Sequence, residues 1–416
     1  MLKRVLVLVF GLFLILGFTS TDVWGQPYSV RMSEALIQVK PGLINGMNFG
    51  NWMVVYDLLP EFQALDIPLL RFPAGNYGDD YFLSEAALKL FLMVSNSLEA
   101  IPMVQHNVFK GDVDEAVKWV MYSKEHNLGV KHWFIGNEPD LYATNRGSPQ
   151  WTPEYYSQLF REYALAIKQI DPEAIVIGPA VTGTPNERWL KAFLQYAGDV
   201  VDILAWQWYP TDGSASSEDA LASAHQVSEH IALFRSWSKD PSINPLGYER
   251  EIPLFLSEFG LSWRTNHARL LTDMTAALWL AEVYGEMVLS ELDYSAYFAL
   301  QGTGGHGLFD VALWPRPTYF VSWMVAQMGN TWYKVDQVTD RDKLVVYGAK
   351  TSEQYMFLLI NKEHIAQTVT FPQAKGPCQS FWVDDQDQEE LWLHTWFDEV
   401  TLAPYSVTLV QFGRSD

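Results

Sequence analysis

An eight-stranded (β/α) barrel followed by a small antiparallel β-sandwich is the fold class this sequence predicts, and three observations carry it. Eight short apolar runs alternate with amphipathic segments up to about residue 330. Beyond that point the runs become β-branched or aromatic and are separated by turns, with no helix of useful length. Two of the eight runs stop at a carboxylate: Trp-Phe-Ile-Gly-Asn-Glu ends at Glu138, and Pro-Leu-Phe-Leu-Ser-Glu ends at Glu258. The 120 residues between these acids hold about three strand-plus-helix units of about 40 residues, which places them on strands four and seven, facing each other across a barrel mouth.

Taken in chain order, Lys3 and Arg4 precede an apolar stretch from Val5 to Phe18, and a polar segment ends Val23-Trp24-Gly25 before Gln26. That stretch is shorter than the roughly 20 residues a membrane span needs, so residues 1–25 are expected to be a cleaved export signal and the mature chain to be secreted or periplasmic. An uncleaved anchor is the rival. Residues 26–40 alternate from Tyr28 to Val39 and are expected to add a strand to the sandwich.

The barrel is expected over residues 41–330. Its strands are predicted at Ile44–Phe49, Pro68–Phe72, Ile101–His106, Lys131–Gly136, Ala174–Pro179, Asp202–Trp208, Pro253–Ser257 and Asp293–Leu300. Asp112–Glu125, Pro153–Ile170, Ala220–Trp237 and Leu270–Leu289 have apolar residues at three-to-four spacing and are predicted helices. Pro153 and Pro172 bracket one of them at start and stop positions. Alternating order with continuous apolar strands implies a parallel sheet covered on its outside. Residues 331–416 are expected to form the sandwich, from Lys343–Ala349, Tyr355–Asn361, Thr368–Phe371, Phe381–Val383 and Ser406–Phe412.

Composition narrows the function. A formal charge of −21 without a basic run longer than two residues argues against a phosphate-binding surface, which needs clustered Lys and Arg, so no nucleic acid partner is expected. The same acidity disfavours a strongly anionic polymer as substrate. Seventeen Trp and 20 Tyr exceed ordinary core needs, and rings with polar tips are platforms for sugar faces. Cys378 stands alone, so no intrachain disulfide can form. The nine His are scattered, without His-x-His after the first strand or His-Glu-x-x-His on a helix. Gly-x-Ser-x-Gly and phosphate-loop motifs are absent as well. No metal and no catalytic cofactor are expected, the partner is a carbohydrate, and no membrane contact is expected once the signal is removed. Oligomeric state is not readable from the sequence.

Two opposed acids are what glycosidic bond cleavage requires. Either could instead be structural, Glu138 before Pro139 as a helix N-terminal charge and Glu258 as a strand-end charge, but their order and spacing favour chemistry. Near the strand ends, His106, Trp206, Trp208, Trp263 and Trp314 are candidates for substrate contact, and Asp79 and Asp80 for lining the pocket.

At these residues the chain resembles the clan A retaining glycoside hydrolases. Asn137-Glu138-Pro139 matches that group's acid/base motif and Ser257-Glu258-Phe259-Gly260 its nucleophile motif. Gly46–Gly50, Leu70-Arg71-Phe72-Pro73, Arg316-Pro317-Thr318-Tyr319 and Leu402–Val407 fall in step, so the likeness spans roughly residues 30–414. Within the clan it lies near the arabinofuranosidases, β-xylosidases and heparanase-type β-glucuronidases. The resemblance implies Glu138 as general acid/base, Glu258 as nucleophile, Arg71 and Tyr209 as donors to Glu258, and Asn137 on the sugar 2-hydroxyl. Gln207 stands where many relatives carry a His, and the eighth strand ends Phe298-Ala299-Leu300-Gln301 in place of the frequent Trp. Gln301 and His306 are candidates for that subsite. The function expected is exo-acting hydrolysis of oligosaccharides or polysaccharide fragments through a glycosyl-enzyme. A silent carbohydrate-binding protein on the same scaffold and a transglycosylase are the alternatives.

Overall fold

The structure, a computed structural model, describes residues 27–32, 42–183, 186–265, 269–302, 305–329, 331–337, 340–372, 374, 376–388, 390–397 and 399–413. The expected signal segment lies outside them. Eight parallel strands, Leu43–Asn48, Leu69–Phe72, Ile101–His106, His132–Ile135, Ile175–Val181, Ile203–Trp208, Leu254–Phe259 and Tyr294–Tyr297, close into a barrel, with Leu43 opposite Tyr294 and Met47 opposite Tyr297 at the seam. Side chains alternate between its two faces. Leu69, Met103, Phe134, Ile177, Ala205 and Phe255 fill the interior, while Trp133, Trp206 and Trp208 point outward into the helical layer, Trp206 meeting Phe234 edge-on at 4.9 Å and Trp208 lying 5.3 Å from Trp279.

Local chemistry sets the helix ends. Asp112 accepts from the backbone N–H of Glu115 to cap Val113–Glu125, and Thr152 accepts from that of Tyr155 to cap Pro153–Ile170, with Pro153 in the first turn. Two predicted helices are broken in the structure. Ala220–Trp237 is Ser217–Ala222 followed by Gln226–Lys239, because Ser223 turns its hydroxyl back onto the carbonyl of Ala220 and accepts a hydrogen bond from the Trp279 indole. Leu270–Leu289 is broken at Asp273, whose carboxylate caps Met274–Leu289 by accepting from the N–H of Thr275.

The second unit is two packed sheets. One is wholly antiparallel, in the order Trp332–Tyr333, Leu344–Lys350, Gln354–Asn361, Ser406–Gly413, Cys378–Asp384, Trp392–Trp396. The other runs Val335–Gln337, Tyr28–Met32, Gln367–Thr370, Glu399–Leu402. Tyr28–Met32 joins it as the alternation suggested, although the rest of that predicted strand lies outside the described residues. It pairs in parallel with Gln367–Thr370, a departure from the all-antiparallel expectation. Parallel pairing needs a long crossover, and here the whole barrel is the crossover. Val30, Val346, Phe357, Val369, Val400 and Phe412 form the core between the sheets.

The barrel and sandwich meet along Met274–Leu289, whose residues are buried almost without exception. Gly285 is required there, since a Cβ would come within 2.2 Å of the Tyr347 ring. Among the described residues no helix is long and apolar enough to cross a membrane.

Candidate active site

The carboxyl-terminal ends of the strands surround a cavity of about 580 Å³ lined by Asn76, Glu138, Leu141, Asn145, Thr182, Gly183, Tyr209, Glu258, Trp263, Phe298 and His306. Both predicted acids are on this wall. How Glu258 reaches it is a matter of backbone register. Phe255 faces the barrel interior, so strict alternation would turn Glu258 outward. A bulge intervenes: Leu256 pairs with Trp206 but Glu258 pairs with Gln207, and the extra residue brings Glu258 onto the inward face beside Gln207.

Glu258 is held from one side by two donors. Arg71 Nη1 lies 3.0 Å from Oε2 and the Tyr209 hydroxyl 2.8 Å from Oε1. Arg71 is fully buried over the Phe134 ring. Its Nη1 also donates to Asn48 Oδ1 at 2.9 Å, and its Nη2 donates to Asn137 Oδ1 at 2.5 Å and Gln105 Oε1 at 3.3 Å. Asn48 is itself anchored to the carbonyls of Ser257 and Ala296. A guanidinium divided among four acceptors, three on strands and Asn137 just past a fourth, is held from several directions, which keeps its charge beside Glu258.

Glu138 is presented differently. It sits in the left-handed region at φ 49°, its N–H bonded to the carbonyl of Ala180 at 3.0 Å. A non-glycine residue held in that conformation at a cavity wall points to function rather than packing. Asp140, two residues on, accepts from the N–H and hydroxyl of Thr182 and from Asn186 Nδ2, tying the loop of Glu138 to the loop after strand five. Among the described residues no side chain donates to the Glu138 carboxylate. Burial first, then the neighbouring charges of Glu258 and Asp140, push its pKa well above the usual carboxylate range. Burial raises Glu258 too, but the Arg71 charge and the Tyr209 hydroxyl oppose it. Of the two acids, Glu138 therefore keeps the proton. Burial and the adjacent Glu258 hold the Tyr209 phenol far above 10, as a neutral donor.

The remaining candidates separate by strand parity. Asn137 and Gln207 join the network: Gln207 Nε2 donates to Asn137 Oδ1 at 2.7 Å, which leaves the buried Asn137 Nδ2 and Gln207 Oε1 without protein partners among the described residues. Trp263 and His306 line the cavity, and burial holds the His306 imidazole neutral, with its pKa lowered to about 4. Trp206, Trp208 and His106 do not reach it. Trp206 and Trp208 face the helices, and His106 stacks on the outward Trp133 ring at 4.8 Å. Gln301 braces a loop instead, accepting from the N–H of Val54 and donating to the carbonyl of Asp310. Asp79 lies beneath the wall, where the Tyr142 hydroxyl bonds it at 2.6 Å and Gln105 at 3.3 Å. Asp80 pairs with Arg146 at the surface, and Trp314 is exposed away from the cavity lining.

Asn48, Gln105 and the lining residues Asn76, Leu141, Asn145, Thr182, Gly183 and Phe298 were not picked out from sequence. The first two had a usable signal, because Gln105 shares the parity of the core residue Met103 while His106 does not. The loop residues had none. No group of three or more His, Cys, Asp or Glu side chains is arranged to hold a metal ion among the described residues.

Residues 88–233 match the family described as glycosyl hydrolase catalytic core. The chain is 21% identical to an intracellular exo-α-L-arabinofuranosidase of Bacteroides ovatus over 50% of this chain and 48% of that one. It is 23% identical to a β-xylosidase of Caldicellulosiruptor saccharolyticus over 68% and 62%. It thus spans about half to three-fifths of the length of these two relatives. Among solved structures, an α-L-arabinofuranosidase from Thermotoga maritima superposes with a TM-score of 0.77 at 15% identity, covering 93% of this chain and all of that one. Residues 88–233 thus resemble a glycosyl hydrolase catalytic core, and the chain's resemblance to the clan A glycoside hydrolases extends from the motifs around Glu138 and Glu258 to the barrel-and-sandwich fold.

Proposed function

We propose that this chain is a retaining glycoside hydrolase acting on a neutral terminal sugar of the arabinofuranoside or xyloside type. The observation that carries the reading is the unequal treatment of two acids on one cavity wall: Arg71 and Tyr209 grip Glu258 and favour its ionised form against burial, while burial and like charge around Glu138 favour its protonated form. That division is what double displacement needs. The Glu258 carboxylate attacks the anomeric carbon as the bond to the leaving oxygen breaks, and the departing electron pair takes the proton of Glu138. With Glu258 esterified its negative charge is gone and the Glu138 pKa falls. Glu138 then removes a proton from water, whose oxygen attacks the anomeric carbon and frees Glu258. Asn137 Nδ2, left open because its Oδ1 is occupied, donates to a sugar hydroxyl.

Two features support a neutral glycone in a terminal position. The cavity volume lies in the usual range for small-molecule sites, about 300–1,000 Å³. Among its described lining residues none is Lys or Arg and His306 is neutral, so a uronate would meet no cation among them. The arabinofuranosidase and β-xylosidase relatives favour the same sugars. The Lys3-Arg4 and Val5–Phe18 pattern supports export with loss of residues 1–25, which the amino-terminal sequence of the chain recovered from its native host would check.

The test is a panel of nitrophenyl arabinofuranoside, xyloside, glucoside and glucuronide, with the Glu258→Ala variant alongside and the first-formed anomer read by NMR. Turnover of a neutral sugar with retained configuration, lost in the variant, is expected. Inverted product would refute the mechanism, and preference for the glucuronide would refute the glycone.

A further inference from the structure

Outside the cavity, a strip of aromatic rings runs over the loops that follow strands one and two. The Trp52 and Tyr77 rings lie 5.4 Å apart and the Tyr77 and Tyr81 rings stack at 4.4 Å. Trp52 is 44% and Tyr81 58% exposed, with Tyr77 half-buried between them. Large exposed rings in a row are costly to leave in water unless something covers them.

The strip is continuous with the site. Gly75 comes so near the catalytic wall that a Cβ there would lie 3.9 Å from Glu258 Oε2 and 3.6 Å from the Phe298 ring. Asn76 lines the cavity, and Tyr77 follows it. The strip is also held in place. Trp52 packs against Gly50, where a Cβ would sit 2.3 Å from the indole, so the ring position depends on glycine. Gln301 grips the same loop at the N–H of Val54, and Arg146 pins the second loop through Asn76 Oδ1 at 3.1 Å. Rings fixed before a ligand arrives cost little entropy on binding.

We infer that Trp52 and Tyr81 form an extended subsite on which further sugar units of a neutral oligosaccharide stack once its end occupies the cavity, with Tyr77 supporting both rings. This rests on the glycosidase reading of the cavity. The occupant is a sugar chain because the strip begins one residue from the cavity and a pyranose or furanose offers C–H faces to rings and hydroxyls to the polar edge at Asn76 and Arg146. The substrate class is thereby deepened from a small glycoside to a chain of several units.

The experiment compares Trp52→Ala and Tyr81→Ala with the unaltered chain on two substrates, the nitrophenyl glycoside that the cavity accepts and a neutral oligosaccharide of four or more units with the same terminal sugar. Because both rings are exposed, folding should be unaffected. The expected result is a fall in kcat/KM of about tenfold per ring on the oligosaccharide, mostly through KM, with the nitrophenyl glycoside unchanged. No change on the oligosaccharide, or equal loss on both substrates, would overturn the subsite. Intrinsic tryptophan fluorescence with the same oligosaccharide separates the two readings. A chain that turns over no glycoside yet loses oligosaccharide binding in Tyr81→Ala would sink the hydrolase reading and keep the subsite, whereas unchanged binding in that variant would sink the subsite.

Discussion

Glu258 and Glu282 are both buried carboxylates beside cations, buried Arg71 for the first and half-buried Lys362 with exposed Arg341 for the second, and their surroundings differ. Glu282 lies on Met274–Leu289 where the barrel meets the sandwich. Lys362 reaches its Oε2 at 2.6 Å and Arg341 its Oε1 at 3.4 Å, and Arg341 also meets Glu286, which takes the Tyr347 hydroxyl at 2.8 Å. Its partners come from the sandwich and close over it. At Glu258 both donors approach from the protein side, and a cavity of about 580 Å³ occupies the other. A carboxylate with a cation at each oxygen and the sandwich over it is a clamp; one whose donors lie on a single side and whose other face meets a cavity has the geometry that the proposed function asks of a nucleophile. The lesson is that burial and a salt bridge do not separate structure from chemistry, whereas the direction of the partners does.

The comparison can be broken at four points, taken from the largest expected effect down. Glu258→Ala should lower kcat by at least about 10⁴-fold on the preferred nitrophenyl glycoside, and azide should restore turnover as a glycosyl azide of configuration opposite to the normal product. If azide gives no such product, Glu258 is not the nucleophile.

Glu138→Ala should cost about 10²–10⁴-fold on substrates with poor leaving groups and far less on nitrophenyl glycosides, since only the former need a proton. The pH profile carries the same assignment. Glu138 must hold its proton, so kcat/KM should fall as pH rises through its raised pKa, and Glu138→Gln should erase that alkaline limb while leaving the acid limb of Glu258. A limb that survives the substitution would assign it to another group.

Lys362→Met leaves Glu282 with half its compensation and should destabilise the fold by about 3 kcal/mol in denaturant titration. The kcat/KM of the folded variant should stay within about twofold if clamp and nucleophile are independent. A tenfold loss of activity would join the two regions.

The narrowest effect, confined to one pH window, belongs to Asp79, which burial raises to about 7 against the opposing Tyr142 hydroxyl. A carboxyl with a folded pKa above its ordinary 3.8 contributes stability that is complete below 3.8 and is lost as pH rises to about 7. Asp79→Asn should flatten the stability profile across that window, seen as the urea midpoint of the unaltered chain falling relative to that of the variant as pH rises from about 4 to about 7. Equal slopes would show that Asp79 is ionised in the fold.

Much of the fold was legible because barrel strands buried on both faces read as continuous apolar runs: all eight were placed to within a few residues. The strands at Trp392–Trp396 and Glu399–Leu402 were not, since the first is an edge strand exposed on both faces and the second is a four-residue strand burying only Val400 and Leu402, so neither carries such a run. At the site, the motifs around Glu138 and Glu258 and the strand-end Arg71, Asn137, Tyr209 and Gln207 were read from sequence, and the structure brings all six into one network or wall. His106 and Trp206 were candidates from their places near strand ends and lie on the outer face, because one residue of parity decides which side of a strand a side chain occupies.

The sequence by itself determined the order of strands and helices, the two acids and their spacing, because these depend on local periodicity and residue chemistry. Only the tertiary structure decided which of the candidates meet. The bulge that turns Glu258 inward, the four acceptors that lock Arg71, and the Gly75–Asn76 passage to Trp52 and Tyr81 all depend on backbone register and on contacts between loops far apart in the chain, neither of which local composition encodes.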